Sequence, residues 1–120
     1  MSRLATALFF TVWAILSLAP TASADDQKYY YCEYRNEFNG TDYYSSVFQA
    51  PEDDNVYPEL SKYAGPFFDY IKAHYSITTA KNGASCLGEK ERGAAKQDRD
   101  KALQDSNRRQ RKVIDTGWSY

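Results

Sequence analysis

Residues 29–49, YYYCEYRNEFNGTDYYSSVFQ, contain two β-prone runs on either side of an Asn39-Gly40 pair. Asn-Gly is a strong hairpin signal because both residues tolerate the positive φ angles that tight two-residue turns require. The stretch therefore predicts a β-hairpin with its first strand at residues 29–35 and its returning strand at residues 43–49.

Side chains alternate between the two faces of each predicted strand. In the first strand we assign Tyr30, Cys32 and Tyr34 to the core face, because the cysteine lies among them. In the returning strand we expect Tyr44 and Phe48 to point inward.

Two helices and two short strands are predicted after the hairpin. The first helix is predicted over residues 58–75, with a break or kink at Gly65-Pro66 and its clearest part at 66–74. A core-facing stripe recurs there at spacings of three and four residues, formed by Tyr63, Phe67, Tyr70, Ile71 and Tyr75, and a short strand follows at 84–87. A second helix covers 91–112 and a last strand 113–118. The order β-β-α-β-α-β predicts an α+β fold, a two-layer sandwich of a four-stranded mixed sheet with both helices on one face. The three strands joined by helices should run parallel, and the first strand should be antiparallel to them.

The N-terminus has the pattern of a secretory signal peptide. Arg3 supplies the positive charge, residues 4–19 are largely apolar, and Ala22-Ser23-Ala24 offers small residues for cleavage after Ala24. The apolar run is shorter than the roughly 20 residues of a membrane-spanning helix. We expect residues 1–24 to be removed, which leaves 25–120 as one periplasmic or secreted domain without membrane insertion.

Cys32 and Cys86 are the only cysteines of the chain. An even number of cysteines in an exported protein predicts a disulfide between them. A bridge across that span should stabilise the domain by about 4 kcal/mol in the chain-entropy model. Their separation and the absence of a C-x-x-C motif argue against a redox-active pair.

The charge balance favours no polyanionic partner. Residues 25–120 carry 14 basic and 16 acidic side chains, a net charge of −2, so neither nucleic acid nor an anionic membrane is indicated. Acids dominate residues 42–69 and bases dominate 108–112; the bases match the negative end of a helix dipole. All 11 tyrosines lie within 25–120, which predicts a largely aromatic core.

Patterns for catalysis and metal binding are weak. His74 is the only histidine, and no serine lies in a G-x-S-x-G elbow. With both cysteines paired, a zinc site would lack ligands, and residues 52–54 lack the alternation of a calcium loop. We therefore expect no enzymatic activity, no metal and no cofactor, and a solvated acidic loop at 50–55.

Surface recognition is the function that the sequence favours. If the helices cover one face of the sheet only, aromatic rings on the other face can anchor a protein interface or stack on sugars. The candidate surface comprises Tyr29, Tyr31, Tyr43 and Trp118, with Arg108, Arg109 and Arg111 as a basic extension. The alternative is that these rings belong to the core.

The sequence thus predicts a small exported, non-enzymatic binding protein whose partner is another exported protein. A module that binds cell-wall glycan through surface tyrosines is the alternative. A small carboxylate-dependent hydrolase is a weaker alternative, because it would need a concave pocket joining two acids with raised pKa values.

Overall fold

The computed structural model describes residues 26–79 and 81–120, so the predicted signal peptide lies outside the described residues. The elements in chain order are β1 (Gln27–Asn36), β2 (Thr41–Tyr44), β3 (Phe48–Pro51), a 3₁₀ helix (Pro58–Leu60), α1 (Ala64–Tyr75), β4 (Ala84–Glu89), α2 (Arg92–Arg108) and β5 (Lys112–Asp115). None of the described helices is long and apolar enough to cross a membrane. The predicted α+β class is confirmed, with five strands in one mixed sheet.

Strand β1 lies in the middle of the sheet. It pairs antiparallel with β4 along one edge and with both β2 and β3 along the other, and β5 adds to β2 in parallel. Strands β2, β4 and β5 therefore run in one direction and β1 runs against them, as predicted. Among the described strands, only the β2–β5 pair forms a parallel ladder, because β1 separates β4 from the others.

The returning strand of the hairpin is interrupted at residues 45–47. Tyr44 lies opposite Glu33 and Phe48 lies opposite Tyr30. Three residues of the returning strand thus face two residues of β1, which is the pattern of a β-bulge. The single strand predicted at 43–49 is consequently two short strands, β2 and β3.

Ser45 stabilises this bulge. Its backbone N–H donates to Cys32 O at 2.9 Å, and its Oγ accepts a hydrogen bond from the Cys32 N–H at 2.7 Å. One inserted residue reverses the alternation of side chains, so Tyr43 and Phe48 share the Cys32 face and Tyr44 lies on the opposite face. The predicted inward position is right for Phe48, whereas Tyr44 is buried against the other side of the sheet.

The helices pack on opposite faces of the sheet. On the Cys32 face, the Phe68 ring of α1 lies 5.3 Å from the Tyr34 ring. On the other face, the Tyr44 hydroxyl donates to Ala102 O of α2 at 3.2 Å. This corrects the predicted two-layer arrangement with both helices on one face. Because the chain crosses β1 one way from β3 to β4 and back again from β4 to β5, crossovers of one hand place their helices on opposite faces.

The core between α1 and the sheet is aromatic, as predicted. Its buried members are Tyr30, Cys32, Tyr34, Tyr43, Phe48, Ala50, Tyr63, Ala64, Phe67, Phe68, Ile71, Ile77, Ala84 and Cys86. Cys32 and Cys86 lie directly opposite each other in the β1–β4 ladder and form the predicted disulfide. The bridge therefore joins the central strand to the edge strand inside the core.

Candidate functional site

Residues 52–60, EDDNVYPEL, connect β3 to the buried Ser61, and we call them the acidic-apolar loop. The loop holds three large hydrophobic side chains that are exposed, Val56 (83%), Tyr57 (60%) and Leu60 (58%). It also carries four acids and no base, namely Glu52, Asp53, Asp54 and Glu59. Exposed apolar side chains grouped in this way mark interaction surfaces more often than isolated ones do.

The Asp53 carboxylate fixes the shape of the loop. Its Oδ1 accepts a hydrogen bond from the Asn55 N–H at 3.0 Å, and its Oδ2 accepts one from the Lys62 N–H at 2.8 Å. Burial alone would raise the pKa of Asp53, but these backbone bonds and a hydrogen bond with Ser61 together hold it below its ordinary value. Asp53 is therefore an anionic structural group that holds both ends of the loop.

A cleft of about 620 Å³ separates the acidic-apolar loop from β4. Lys28 forms an ion pair with Glu52 beside it at 3.0 Å, and the hydrogen bond of this pair raises the pKa of Lys28. Gly88 of β4 lines the opposite wall. The lowered pKa of Asp53 is the opposite of what a general acid requires.

The structure does not assemble the aromatic surface predicted on the sheet. Tyr31 and Tyr43 are 4% and 3% exposed, since each face of the sheet is covered by a helix. Trp118 is half-buried, with its ring 5.5 Å from Phe48 and 5.4 Å from Phe67. The alternative interpretation, that these rings belong to the core, is therefore correct for Tyr31 and Tyr43.

Tyr29 remains partly accessible at the start of β1. The Arg92 guanidinium lies over its ring, 5.2 Å from the ring centre. Tyr29 is the one ring of the predicted aromatic surface that neither lies in the core nor packs against it. Its ring is in contact with a basic side chain of α2.

The predicted basic extension divides into exposed and structural arginines. Arg108 and Arg109 are exposed and both pair with Asp105 of the same helix. The Arg111 side chain is only 15% exposed, and its Nε lies 2.8 Å from Asp42 Oδ1. Arg111 thus belongs to the fold, where it neutralises a buried carboxylate, and not to a free basic patch.

That carboxylate belongs to a buried polar network under α2, which the sequence did not indicate. The Ser106 hydroxyl donates to Asp42 Oδ2 at 2.6 Å and lies 2.7 Å from the Tyr44 hydroxyl. Asp42 and Ser106 are 2% and 0% exposed. A serine so deeply buried is unavailable to a substrate, so the network serves to attach α2 to the sheet.

No protein-family model, no curated protein and no solved structure matches this chain. The acidic-apolar loop was missed by the sequence analysis because 50–55 was interpreted as solvated and the segment from Pro58 as helical. The sequence does contain a signal for this loop. Val56 and Tyr57 lie between Pro51 and Pro58, with acidic residues on both sides, and this composition is typical of a connection and not of a buried helix or strand.

Proposed function

We propose that this chain is an exported, non-enzymatic binding protein that holds another exported protein through its acidic-apolar loop. The observation that supports this most is the exposure of Val56, Tyr57 and Leu60 on a loop that internal hydrogen bonds keep in one conformation. Buried aromatic side chains such as tyrosine carry much of the binding energy at the centre of an interface, and the contacts around them exclude water. The disulfide is compatible with a periplasmic or extracellular location.

The charges of the loop define the partner surface. Glu52 is paired with Lys28, and Asp53 is engaged by backbone N–H groups. Among the described residues, neither Asp54 nor Glu59 takes part in an ion pair, and both are exposed. The partner should therefore present apolar pockets bordered by lysine or arginine side chains, which would speed association more than they would strengthen the final complex.

The conformation of the loop lowers the entropic cost of binding. A surface that is already ordered loses less conformational freedom on association than a flexible one does. Tyr57 adds to this advantage because its large ring has only two rotatable side-chain bonds.

The test uses residues 25–120 as bait in an envelope extract and then the purified partner in a titration. We expect Tyr57→Ala to raise the Kd about 30-fold, the value for a loss of about 2 kcal/mol at a hot spot, and Leu60→Ala to raise it by a smaller factor. Phe38→Ala is the matched control, because Phe38 is 97% exposed and follows the far end of β1. All three variants should melt within about 2–4 °C of the parent, since surface substitutions change stability by less than about 0.5 kcal/mol.

A second comparison tests the charges. Reversal of Asp54 and Glu59 to lysine should slow association and weaken its dependence on salt, with little change in dissociation. The proposal would be refuted if the captured partner bound Tyr57→Ala and Leu60→Ala with the affinity of the parent, or if Phe38→Ala abolished its binding.

A further inference from the structure

A second cleft, of about 440 Å³, lies at the opposite end of β1 from the acidic-apolar loop. We call it the hairpin-end cleft; it is lined by Tyr34, Asn36, Phe38, Asn39, Tyr75, Ser76, Ile77, Thr78 and Thr79. Its volume falls within the range of about 300–1,000 Å³ that is usual for small-molecule sites. It shares no lining residue with the cleft beside the acidic-apolar loop.

The lining is aromatic and polar but carries no fixed charge. None of the described residues that form it has a carboxylate, an ammonium, a guanidinium or an imidazole group. An ionic ligand would lose its hydration here without gaining a counter-charge, which is costly. Hydroxyl and amide groups beside aromatic rings instead suit a ligand that is neutral, rich in hydroxyl groups and apolar on its C–H faces.

Phe38 is the most exposed large hydrophobic residue at this cleft, with 97% of its surface in solvent. Its position is nevertheless set by the turn, because the Phe38 N–H donates to Asn36 Oδ1 at 3.0 Å. Asn39 Oδ1 in turn accepts a hydrogen bond from the Thr41 N–H at 3.1 Å. These bonds fix the backbone of the turn that carries Phe38 to the rim of the cleft, and 97% of the residue is in solvent among the described residues.

Polar groups suitable for a sugar lie beside this ring. The Asn36 side chain is 8% exposed and lines the cleft, and only its oxygen is engaged by a described residue. The Asn39 amide nitrogen reaches the Tyr43 hydroxyl at a long 3.4 Å, so a ligand could replace that partner at little cost. Ser76 adds a hydroxyl on a residue with a left-handed backbone, φ 55°.

We propose that the hairpin-end cleft binds a neutral carbohydrate, with Phe38 and the half-buried Tyr75 packing against sugar rings and the Asn36 and Asn39 amides bonding to sugar hydroxyls. This activity is separate from the binding of a protein by the acidic-apolar loop. The sequence alternative of glycan binding placed that function on Tyr29, Tyr31 and Tyr43, two of which the structure buries. The hairpin-end cleft provides the same chemistry with other residues.

The test titrates residues 25–120 with two neutral oligosaccharides, chitotetraose and maltotetraose, by calorimetry at low and high salt. We expect saturable binding of at least one of them, with a Kd that does not change with salt, because no fixed charge lines the cleft. Phe38→Ala should weaken that binding at least about tenfold, a loss of about 1.4 kcal/mol. Phe38→Trp should retain it, and Tyr57→Ala, at the other end of β1, should leave it unchanged.

Three results would overturn the proposal. They are the absence of saturation with both oligosaccharides, binding that weakens steeply with salt, and binding that is indifferent to Phe38→Ala. Tyr57→Ala is the test variant for the protein partner and the control for the oligosaccharides, and Phe38→Ala is the reverse. Each proposal can therefore fail while the other stands.

Discussion

The Tyr30 hydroxyl accepts a hydrogen bond from the backbone N–H of Asp53 at 2.7 Å, and this bond joins the central strand to the acidic-apolar loop. The Tyr30 ring itself lies in the core, 5.9 Å from the Phe48 ring and 4.9 Å from the Tyr63 ring. Burial raises the pKa of the Tyr30 hydroxyl, so it stays neutral at physiological pH. The packing of the core thus determines where the loop begins.

Replacement of Tyr30 by phenylalanine tests this link. The ring can keep its place, but the Asp53 N–H loses its acceptor, which should reduce the free energy of unfolding by about 1 kcal/mol. Amide exchange should accelerate within residues 53–62 and stay slow in α2. Tyr57→Phe is the control, since its ring is exposed; equal exchange in the loop of all three proteins would show that the bond does not hold it.

Local spacing made several features predictable. The alternation of Tyr30, Cys32 and Tyr34 depends only on the strand period, and those three side chains do share the core face. The stripe of Phe67 and Ile71 on α1 depends only on the helix period, and both are buried. The disulfide followed from a count of cysteines and an expected compartment.

Features that depend on tertiary pairing were not predictable in the same way. The bulge rests on the Ser45 hydroxyl meeting the Cys32 N–H, for which the sequence offers no periodic signal, and it decides which of Tyr43 and Tyr44 meets α1. The placement of α2 follows from the central position of β1 in the sheet. Because α2 buries only Ala95 and Ser106, its apolar pattern was too thin to reveal that it covers Tyr44.

The same limit explains the predicted binding surface. An outward Tyr31 requires the face opposite Cys32 to be open, and α2 closes that face. The exposed rings instead lie outside the helices and strands, at Phe38, Tyr57 and Tyr120. Connections have no side-chain period, so exposure there cannot be deduced from spacing.

Removal of the disulfide should cost much of the stability of the domain. Cys32 and Cys86 are 54 residues apart, and a bridge over that distance is worth about 4 kcal/mol in the chain-entropy model. We expect the double substitution Cys32→Ala and Cys86→Ala to lower the urea midpoint strongly, and dithiothreitol to do the same to the parent. Two free thiols in the oxidised parent, or an unchanged midpoint in the double variant, would contradict this.

The aromatic core should make the domain sensitive to alkali. Burial raises the pKa of Tyr63 to about 12, and it also raises the pKa values of Tyr30, Tyr31, Tyr34 and Tyr44. These phenols bind protons more tightly when folded than when unfolded, where the pKa is about 10. Their contribution to stability is therefore full below about pH 10 and is lost as the pH rises towards about 12.

The measurement follows phenolate absorbance and circular dichroism together through this range. We expect the absorbance of these buried phenols to rise as the ellipticity is lost, because they ionise when the core opens. Tyr63→Phe removes one such group, so the free energy of unfolding should fall less steeply with pH in this variant. Ionisation of the full set of phenols with the ellipticity intact would show that the rings are not packed as described.

Gly88 is where the edge strand comes closest to Tyr30. A Cβ built on Gly88 would overlap the Tyr30 ring, approaching Cδ1 to 2.9 Å, and the Phe48 and Tyr63 rings pack against the same ring. Gly88→Ala should therefore destabilise the domain by about 1–3 kcal/mol, the usual cost of overpacking.

Gly93 provides the matched control for this substitution. It lies in the first turn of α2, and a Cβ there would meet nothing within 4 Å. Gly93→Ala should stabilise the domain by about 0.5–1 kcal/mol, since alanine loses less backbone entropy in a helix than glycine does. The two substitutions add the same methyl group, so urea midpoints that move in opposite directions would isolate the contact with Tyr30.

Gly88→Ala should also weaken binding of the proposed protein partner, because Tyr30 holds Asp53 of the acidic-apolar loop. The effect should be measurable at temperatures where the Gly88→Ala variant is still folded, and Gly93→Ala should not show it. A Gly88→Ala protein as stable as the parent would show that β4 does not contact the Tyr30 ring closely at Gly88. The position of the acidic-apolar loop would then depend on contacts other than this packing.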